Sequence, residues 1–131
     1  MLVMTSLMTN KVAIEVEAWF HEDASSPDYA NFVYAYQITI VNKAEYPIQL
    51  LSREWRIKDT GTPVKIVKGL GVVGEQPILH PGQVHQYISG CNFRTPLGSM
   101  VGSYTFQNLD SGGQFKVRIP KFVLAFPYTL N

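Results

Sequence analysis

The stretch that decides the fold is KGLGVVGEQPIL, residues 68–79. Its Gly69, Gly71 and Gly74 match the pattern G-x-G-x-x-G, which in dinucleotide-binding proteins joins a strand to a helix whose N-terminus holds the diphosphate. Here prolines stand at the third and seventh positions after the last glycine, and either proline would interrupt a helix. The motif therefore lacks the context that gives it meaning, and the sequence argues against a nucleotide-binding α/β fold.

Two roles then remain for the three glycines. Successive backbone amides in irregular β-structure can form a small concavity that binds an anion. Alternatively, glycines permit bulges and close crossings between sheets, because they accept backbone conformations that other residues avoid. The sequence favours the second role, and Gly69, Gly71 and Gly74 remain candidate phosphate-binding residues.

The rest of the chain has the pattern of strands separated by turns. Apolar residues alternate with others over 11–21, 32–42 and 49–58, which is the period of a half-buried strand. No segment shows a helical apolar stripe, and ten glycines and eight prolines are spread along the length. The sequence therefore predicts an all-β fold, an antiparallel sandwich of the fibronectin type III or immunoglobulin-like class with about seven or more strands. The residues predicted to face the core are Val12, Ile14, Val16, Ala18 and Phe20, then Phe32, Tyr34, Tyr36, Ile38 and Ile40, then Leu51, Arg53, Trp55 and Ile57.

Size and composition narrow the class further. The chain has 131 residues, of which 46% are hydrophobic and 16% charged, as expected of one globular domain. We expect residues 1–10 to be a flexible N-terminal segment and residues 11–131 to form a single β-sandwich domain. A net charge of +1 predicts no recruitment of nucleic acid, and the lack of an 18-residue apolar run predicts no membrane insertion. One cysteine allows no intrachain disulfide, which fits a cytoplasmic location.

No catalytic set is recognisable in the sequence. Cys91 and His85 suggest a nucleophile and a base, but six residues along one strand separate them by about 20 Å, far beyond hydrogen-bond reach. A half-buried free thiol is the better interpretation of Cys91. We therefore predict a protein that is not an enzyme and has no catalytic residues.

An acidic loop is the one candidate for metal binding. His21, Glu22, Asp23 and Asp28 bracket a short loop, and carboxylate oxygens on such a loop can hold a divalent cation weakly. The alternative is a solvated turn in which the acidic side chains accept hydrogen bonds from nearby backbone. The sequence favours the turn, so no cofactor is predicted beyond a weakly bound divalent cation.

Charge is unevenly distributed along the chain. Residues 1–30 carry five acids against one base, whereas Lys116, Arg118 and Lys121 near the end outnumber their acidic neighbour Asp110. Such asymmetry can orient a docking partner. It can equally reflect complementary strands within one sheet. The sequence alone does not choose between these explanations.

Five stretches in order give the chain a family resemblance. They are SSPDYANFVYAYQITIVN, QLLSREWRIKDTGT, GLGVVGEQPILHPGQVHQYISGC, TPLGSMVGSY and FKVRIPKFVLAFP, within a match that runs from about residue 12 to residue 127. Together they resemble the bacterial ApaG family. The resemblance implies a fibronectin-type sandwich, a cytoplasmic location, no established catalysis and a link to cobalt resistance and magnesium efflux. Related domains in eukaryotic F-box proteins and in a DNA-polymerase-interacting protein imply a protein-binding module.

The resemblance also bears on the glycine motif. It implies a diphosphate site at Gly69, Gly71 and Gly74, but Leu70 stands where many members have glutamate. The side chain that could hold a cation beside a phosphate is therefore missing at this position.

Three functions follow as hypotheses. The first is an interaction module for an unidentified protein partner, which requires an exposed apolar patch. The second is a sensor of a diphosphate compound or divalent cation at the glycine loop or the acidic loop. The third, an enzyme acting on phosphoanhydrides, has the least support, because no base, metal cage or nucleophile is assembled in the sequence.

Overall fold

The computed structural model describes residues 2–127 as two antiparallel sheets packed face to face. The predicted all-β sandwich is confirmed. No helix in residues 2–127 has both the length and the apolar character needed to cross a bilayer. The strands in this range are β1 (Leu2–Thr9), β2 (Val12–Phe20), β3 (Phe32–Asn42), β4 (Ile48–Asp59), β5 (Lys65–Leu70), β6 (Ile78–Leu79), β7 (Val84–Phe93), β8 (Leu97–Asn108) and β9 (Gln114–Ala125).

The first sheet has the strand order β1-β2-β3-β7. Its inner face confirms the alternation predicted for β2 and β3: the residues predicted to face the core from β3 are buried, and those from β2 are buried or packed against the core. Residues 1–10 were expected to be a flexible segment, but Leu2–Thr9 instead form the edge strand β1, paired in register with Val12–Trp19. A left-handed turn at Asn10 and Lys11 reverses the chain and makes this pairing possible.

The second sheet has the order β5-β4-β8-β9, and the short β6 pairs with the start of β4. One prediction for this sheet is wrong: Leu50, not Leu51, enters the core. The register between β4 and β8 shifts between Leu50 and Ser52, so Leu51 is the extra residue of a bulge. Beyond the bulge the predicted face holds, because Trp55 is buried and Ile57 packs against the core.

A second bulge lies between β8 and β9. Met100 pairs with Phe122 and Gly102 with Ile119, so Pro120 and Lys121 of β9 lie opposite the single residue Val101. A proline cannot donate a ladder hydrogen bond, and a bulge is a position that tolerates this loss. The bulge lets Ile119 and Phe122 both face the core.

Aromatic side chains join the two sheets at the centre of the molecule. Tyr36 of β3 lies 5.6 Å from Trp55 of β4 and 5.7 Å from Phe122 of β9, measured between ring centroids. Trp55 and Phe122 meet edge to face at 6.0 Å, a favourable geometry for aromatic pairs. These contacts hold the inner faces of the two sheets together.

Candidate functional site

The glycine motif forms a tight hairpin turn directly after β5. Val72 and Glu75 exchange both backbone hydrogen bonds, at 2.8 and 2.9 Å. The two residues between them, Val73 and Gly74, have φ values of 48° and 76°. Positive φ at both central residues is the pattern of a type I′ turn, which matches the twist of a β-hairpin. The last glycine therefore serves a turn rather than the start of a helix.

Several amides of this loop are already paired. The Gly71 N–H donates to the Leu51 carbonyl at 2.9 Å, and the N–H groups of Val72 and Glu75 donate to each other's carbonyl oxygens. An anion held by backbone amides needs N–H groups that point at it. A diphosphate site at Gly69, Gly71 and Gly74 stays a prediction, and these pairings leave the turn few amides with which to form it.

Arg53 fastens the glycine loop to β4. Its Nη1 donates to the carbonyl oxygens of Leu70 and Gly71, both at 2.9 Å. Gly69 pairs with Arg53 across the two strands, and a Cβ at residue 69 would stand 2.8 Å from the guanidinium. The first glycine of the motif thus makes room for the arginine that holds Leu70 and Gly71.

The bulge of β4 provides the other attachment. The carbonyl of Leu51, the extra residue, accepts hydrogen bonds from Gly71 and from the Gln76 side chain, each at 2.9 Å. Val72 is 1% exposed and belongs to the hydrophobic core. The loop is therefore docked against the sandwich by both polar and apolar contacts.

The acidic loop folds as two short 3-10 turns. His21 precedes the first turn, Glu22–Ala24, and its Nδ1 accepts a hydrogen bond from the Ala24 amide at 3.3 Å. Asp28 lies in the second turn, Pro27–Tyr29. In the part of the chain that the structure describes, no three His, Cys, Asp or Glu side chains come close enough to hold a metal ion. The fold thus brings together no three of the four candidate ligands His21, Glu22, Asp23 and Asp28.

Cys91 and His85 lie at opposite ends of the unbroken strand β7, with Tyr87 and Ser89 between them on the same face. The strand therefore keeps the thiol and the imidazole apart. Burial, and secondarily the charge of Asp59, raises the pKa of Cys91 from its ordinary 9.0 to about 12. The sulfur is a neutral thiol near pH 7, which is a poor nucleophile.

The buried Tyr104 and the half-buried Tyr87 form a polar contact between the sheets. The hydroxyls of Tyr87 and Tyr104 are hydrogen-bonded to each other. Burial raises the pKa of both phenols above the usual value, so both stay protonated near neutral pH. This pair satisfies two hydroxyls inside the sandwich.

The outer face of the second sheet carries a groove of about 430 Å³. Its floor consists of small hydroxyl side chains from the two central strands, and longer side chains from β5 and β9 rise at its sides. The residues that line it include Ser52, Glu54, Lys68, Leu70, Ser103, Thr105 and Lys116. This groove lies beside the glycine loop and shares Gly69 with it.

The outer face of the first sheet is apolar toward both ends of its strands and polar between them. One row of paired residues across the four strands is Leu2, Trp19, Ala35 and Gly90, and another is Met8, Ala13, Val41 and Val84. Large apolar side chains are exposed here: Leu2 by 53%, Met4 by 60%, Met8 by 60%, Val84 by 54% and Ile88 by 58%. Glu15 and Glu17 are the charged residues on this face within residues 2–127.

Sequence reasoning missed both outer faces and the role of Arg53. The faces combine residues from four strands whose order follows from long-range pairing, so no local pattern shows them. For Arg53 one signal was present: an arginine occupied a position on the predicted core face beside Trp55, and such a charge requires a polar partner there.

The fold and the two outer faces define a class of small antiparallel β-sandwich that has no catalytic set assembled within residues 2–127. The ApaG domain family matches residues 22–108 of the chain. The chain is 44% identical over 126 residues to a Protein ApaG of Mesorhizobium japonicum, covering 96% of each, and 47% identical over 125 residues to that of Aromatoleum aromaticum, covering 94% and 98%. The chain belongs to the ApaG family, as its resemblance predicted.

A solved structure shows the same fold. The putative ApaA protein from Bordetella pertussis superimposes with a TM-score of 0.84 at 38% identity, covering 95% of this chain and 98% of that one. The C-terminal domain of wzt matches with a TM-score of 0.55 at 11% identity, a likeness of fold alone.

Proposed function

We propose that this ApaG-family protein is a non-enzymatic interaction module that binds a protein partner through the outer face of β1, β2, β3 and β7. The observation that carries the proposal is the apolar character of that face. Exposed apolar surface is typical of an interaction site, and methionine and aromatic residues are enriched in such interfaces. On this face the apolar surface forms two rows, which the polar row Ser6, Glu15, Thr39 and Gln86 separates.

The charges on this face specify the chemistry of the partner. Glu17 lies between Met4 and Gln37 in one row, and Glu15 lies between Ser6 and Thr39 in the next, so two carboxylates stand between the two apolar rows. A complementary surface therefore offers apolar side chains flanking one or two basic residues. We take the partner to be a cytoplasmic protein with such a surface. The family's link to cobalt resistance and magnesium efflux would then arise because the partner, rather than this protein, handles the metal ions.

The alternative, a sensor of a diphosphate or a divalent cation, has less support. The glycine loop has three of its amides paired within the protein, and the acidic loop does not gather three ligands among residues 2–127. An amide-resolved NMR titration with magnesium, cobalt and a nucleoside diphosphate tests it. Saturable shifts confined to 69–74 or to 21–28 would favour the sensor over the module.

Two exposed valines provide a matched test of the module. Val84 is 54% exposed on the proposed face, and Val64 is 50% exposed in the connection between β4 and β5. For crosslinking, the probe is placed at Ile88, another exposed residue of the proposed face. A photo-crosslinking amino acid there should form an adduct with one partner in a bacterium, whereas the same group at Val64 should not.

The purified partner then provides the quantitative measurement. It should bind the wild type and Val64→Lys equally, and Val84→Lys at least tenfold more weakly, because the new charge would be buried in an apolar interface. These variants can also be expressed in a bacterium that lacks its own family member. The wild type and Val64→Lys should then support equal cobalt tolerance, and Val84→Lys should support less. Equal binding by Val84→Lys and Val64→Lys would contradict the proposal.

A further inference from the structure

The outer face of the second sheet is predominantly positively charged. Among residues 2–127, Glu54 is the one carboxylate that the alternation of these strands places there. Six basic residues lie on the same face: Arg56 and Lys58 of β4, Lys68 of β5, and Lys116, Arg118 and Lys121 of β9. The bulge at Pro120 keeps Lys121 on the outer side with Arg118. A net charge of +1 for the whole chain thus hides a strongly basic face.

The basic residues border the groove described above. Across the four strands, Leu70 pairs with Ser52, Ser52 with Thr105, and Thr105 with Lys116. With strands about 4.8 Å apart, the two ends of this row are about 14 Å apart. The floor between them carries short hydroxyl side chains, which leave space for an extended chain and can donate hydrogen bonds to it.

Most of this positive charge is uncompensated. The one salt bridge within residues 2–127 joins the Lys68 Nζ to the Glu54 Oε1 at 3.7 Å, and the Lys68 side chain is 73% exposed. Lys116 and Arg118 are both exposed, and no carboxylate of these residues lies within 4.0 Å of either cationic group. An incoming anion would therefore meet free cations.

Apolar side chains alternate with the charges along β5. Ile66 is 51% exposed and Leu70 is 77% exposed, on either side of Lys68 on the same face. A purely ionic ligand such as a polyphosphate would leave both of them in water. Sites for single-stranded nucleic acid typically stack the bases on aromatic rings, and within residues 2–127 the strands place no aromatic residue on this face.

We propose that this groove binds an extended acidic peptide segment of a partner protein, whose carboxylates meet Lys68, Lys116 and Arg118 and whose apolar side chains cover Leu70. This surface is on the opposite side of the sandwich from the face invoked under Proposed function. The two proposals therefore stand or fall separately, and together they describe an adaptor between two partners.

The probe is a fluorescein-labelled ten-residue peptide with five glutamates and two leucines, compared with a peptide in which glutamine replaces glutamate. Anisotropy should show saturable binding of the acidic peptide at about 20 mM salt that weakens at about 150 mM, since salt screens exposed charges. The glutamine peptide should bind at least tenfold more weakly. Equal binding of the two peptides would overturn the proposal.

Variants locate the site. Lys116→Ala and Lys68→Ala should each weaken binding about fivefold, while Lys43→Ala, which removes an exposed lysine outside the sheets, should leave it unchanged. Glu54→Gln should tighten binding two- to threefold, because it removes the carboxylate that competes for Lys68, and Glu15→Gln on the other sheet should have no effect. A gain of affinity cannot arise from damage to the fold.

Two further outcomes decide against the proposal. If Lys43→Ala weakens binding as much as Lys116→Ala, the peptide senses overall charge rather than the groove. If Leu70→Gln leaves peptide binding unchanged while tripolyphosphate or oligo-dT displaces the peptide at equal charge concentration, the groove takes polyanions and not an acidic peptide.

Discussion

The guanidinium of Arg53 lies so close to Gly69 that a Cβ at residue 69 would stand 2.8 Å from its Cζ atom. From this position the guanidinium donates to the carbonyl oxygens of Leu70 and Gly71, which are the last residue of β5 and the first residue of the loop. The glycine and the arginine therefore act as one unit, and the motif has a structural explanation that requires no ligand.

The first prediction tests this unit. Gly69→Ala should lower the free energy of unfolding by about 1–2 kcal/mol, because the methyl group displaces Arg53 and its hydrogen bonds are lost. In an Arg53→Met background the same alanine should cost little, which gives a coupling of at least about 1 kcal/mol in a double-mutant cycle. Urea unfolding of the four proteins measures it, and additive losses would show that the residues are independent.

The second prediction separates two glycines of the motif. A Cβ at Gly71 would lie 2.0 Å from the Glu75 carbonyl oxygen, whereas one at Gly74 would meet nothing within 4 Å. Both have positive φ, so alanine at either carries the left-handed penalty of about 1–2 kcal/mol. Gly74→Ala should lower stability by about that amount, and Gly71→Ala by clearly more, as measured by thermal and urea unfolding. Equal losses would contradict the close approach of the Glu75 carbonyl to Gly71.

The third prediction is a stabilising change. Val73 is a β-branched residue at φ 48° and is 65% exposed, so the protein gains little from its side chain. Val73→Asn creates the Asn-Gly pair that type I′ turns prefer. It should raise the free energy of unfolding by about 1 kcal/mol and the Tm by about 4 °C, as measured by calorimetry. The exposed substitution Val64→Asn, outside the turn, is the control and should not raise the Tm.

The fourth prediction concerns pH. The pKa of Cys91 is raised to about 12 and that of Tyr34 to about 12, in both cases chiefly by burial. Groups whose pKa is raised in the folded state stabilise it below their unfolded pKa, and this contribution is lost as the pH rises toward the folded value. The free energy of unfolding should therefore fall between about pH 9 and pH 12, and Cys91→Ser should reduce the slope near pH 9.

The same thiol should react slowly. At pH 8 a pKa of about 12 leaves roughly 1000-fold less thiolate than the ordinary value of 9.0, so alkylation by iodoacetamide should be slower than that of the unfolded chain by about this factor. Alkylation at the rate of a free peptide would show that Cys91 is accessible and ionisable.

Strand positions were predictable because alternation is a local property. The buried faces of β2 and β3 follow from their own residues, and Trp55 follows from the pattern of β4. The bulge was not predictable, because either Leu50 or Leu51 could enter the core by its own sequence pattern. The pairing with β8 determines which of the two leucines does so. The strand β1 was missed because both of its faces carry apolar residues, which weakens the alternation.

The candidate sites likewise divide into features that local sequence predicts and features that depend on long-range strand pairing. The turn role of the glycines was predictable from the prolines that follow them, since those exclude a helix. The basic groove was not, because it combines Lys68 with Lys116, and these residues come together only through the order β5-β4-β8-β9. The acidic loop stays a weak metal candidate, because its nearness in sequence does not bring three ligand side chains together within residues 2–127.

The pairing of β4 with β8, which registers Leu50 opposite Phe106, has a consequence for biogenesis. A central pair of its sheet unites distant parts of the polypeptide, and pairing at such separation makes folding slow. While the ribosome is still adding residues beyond β7, the second sheet lacks two of its strands, and one edge of β4 has no hydrogen-bonding partner. A newly made chain therefore passes through a vulnerable interval in which a chaperone has a physical reason to hold it.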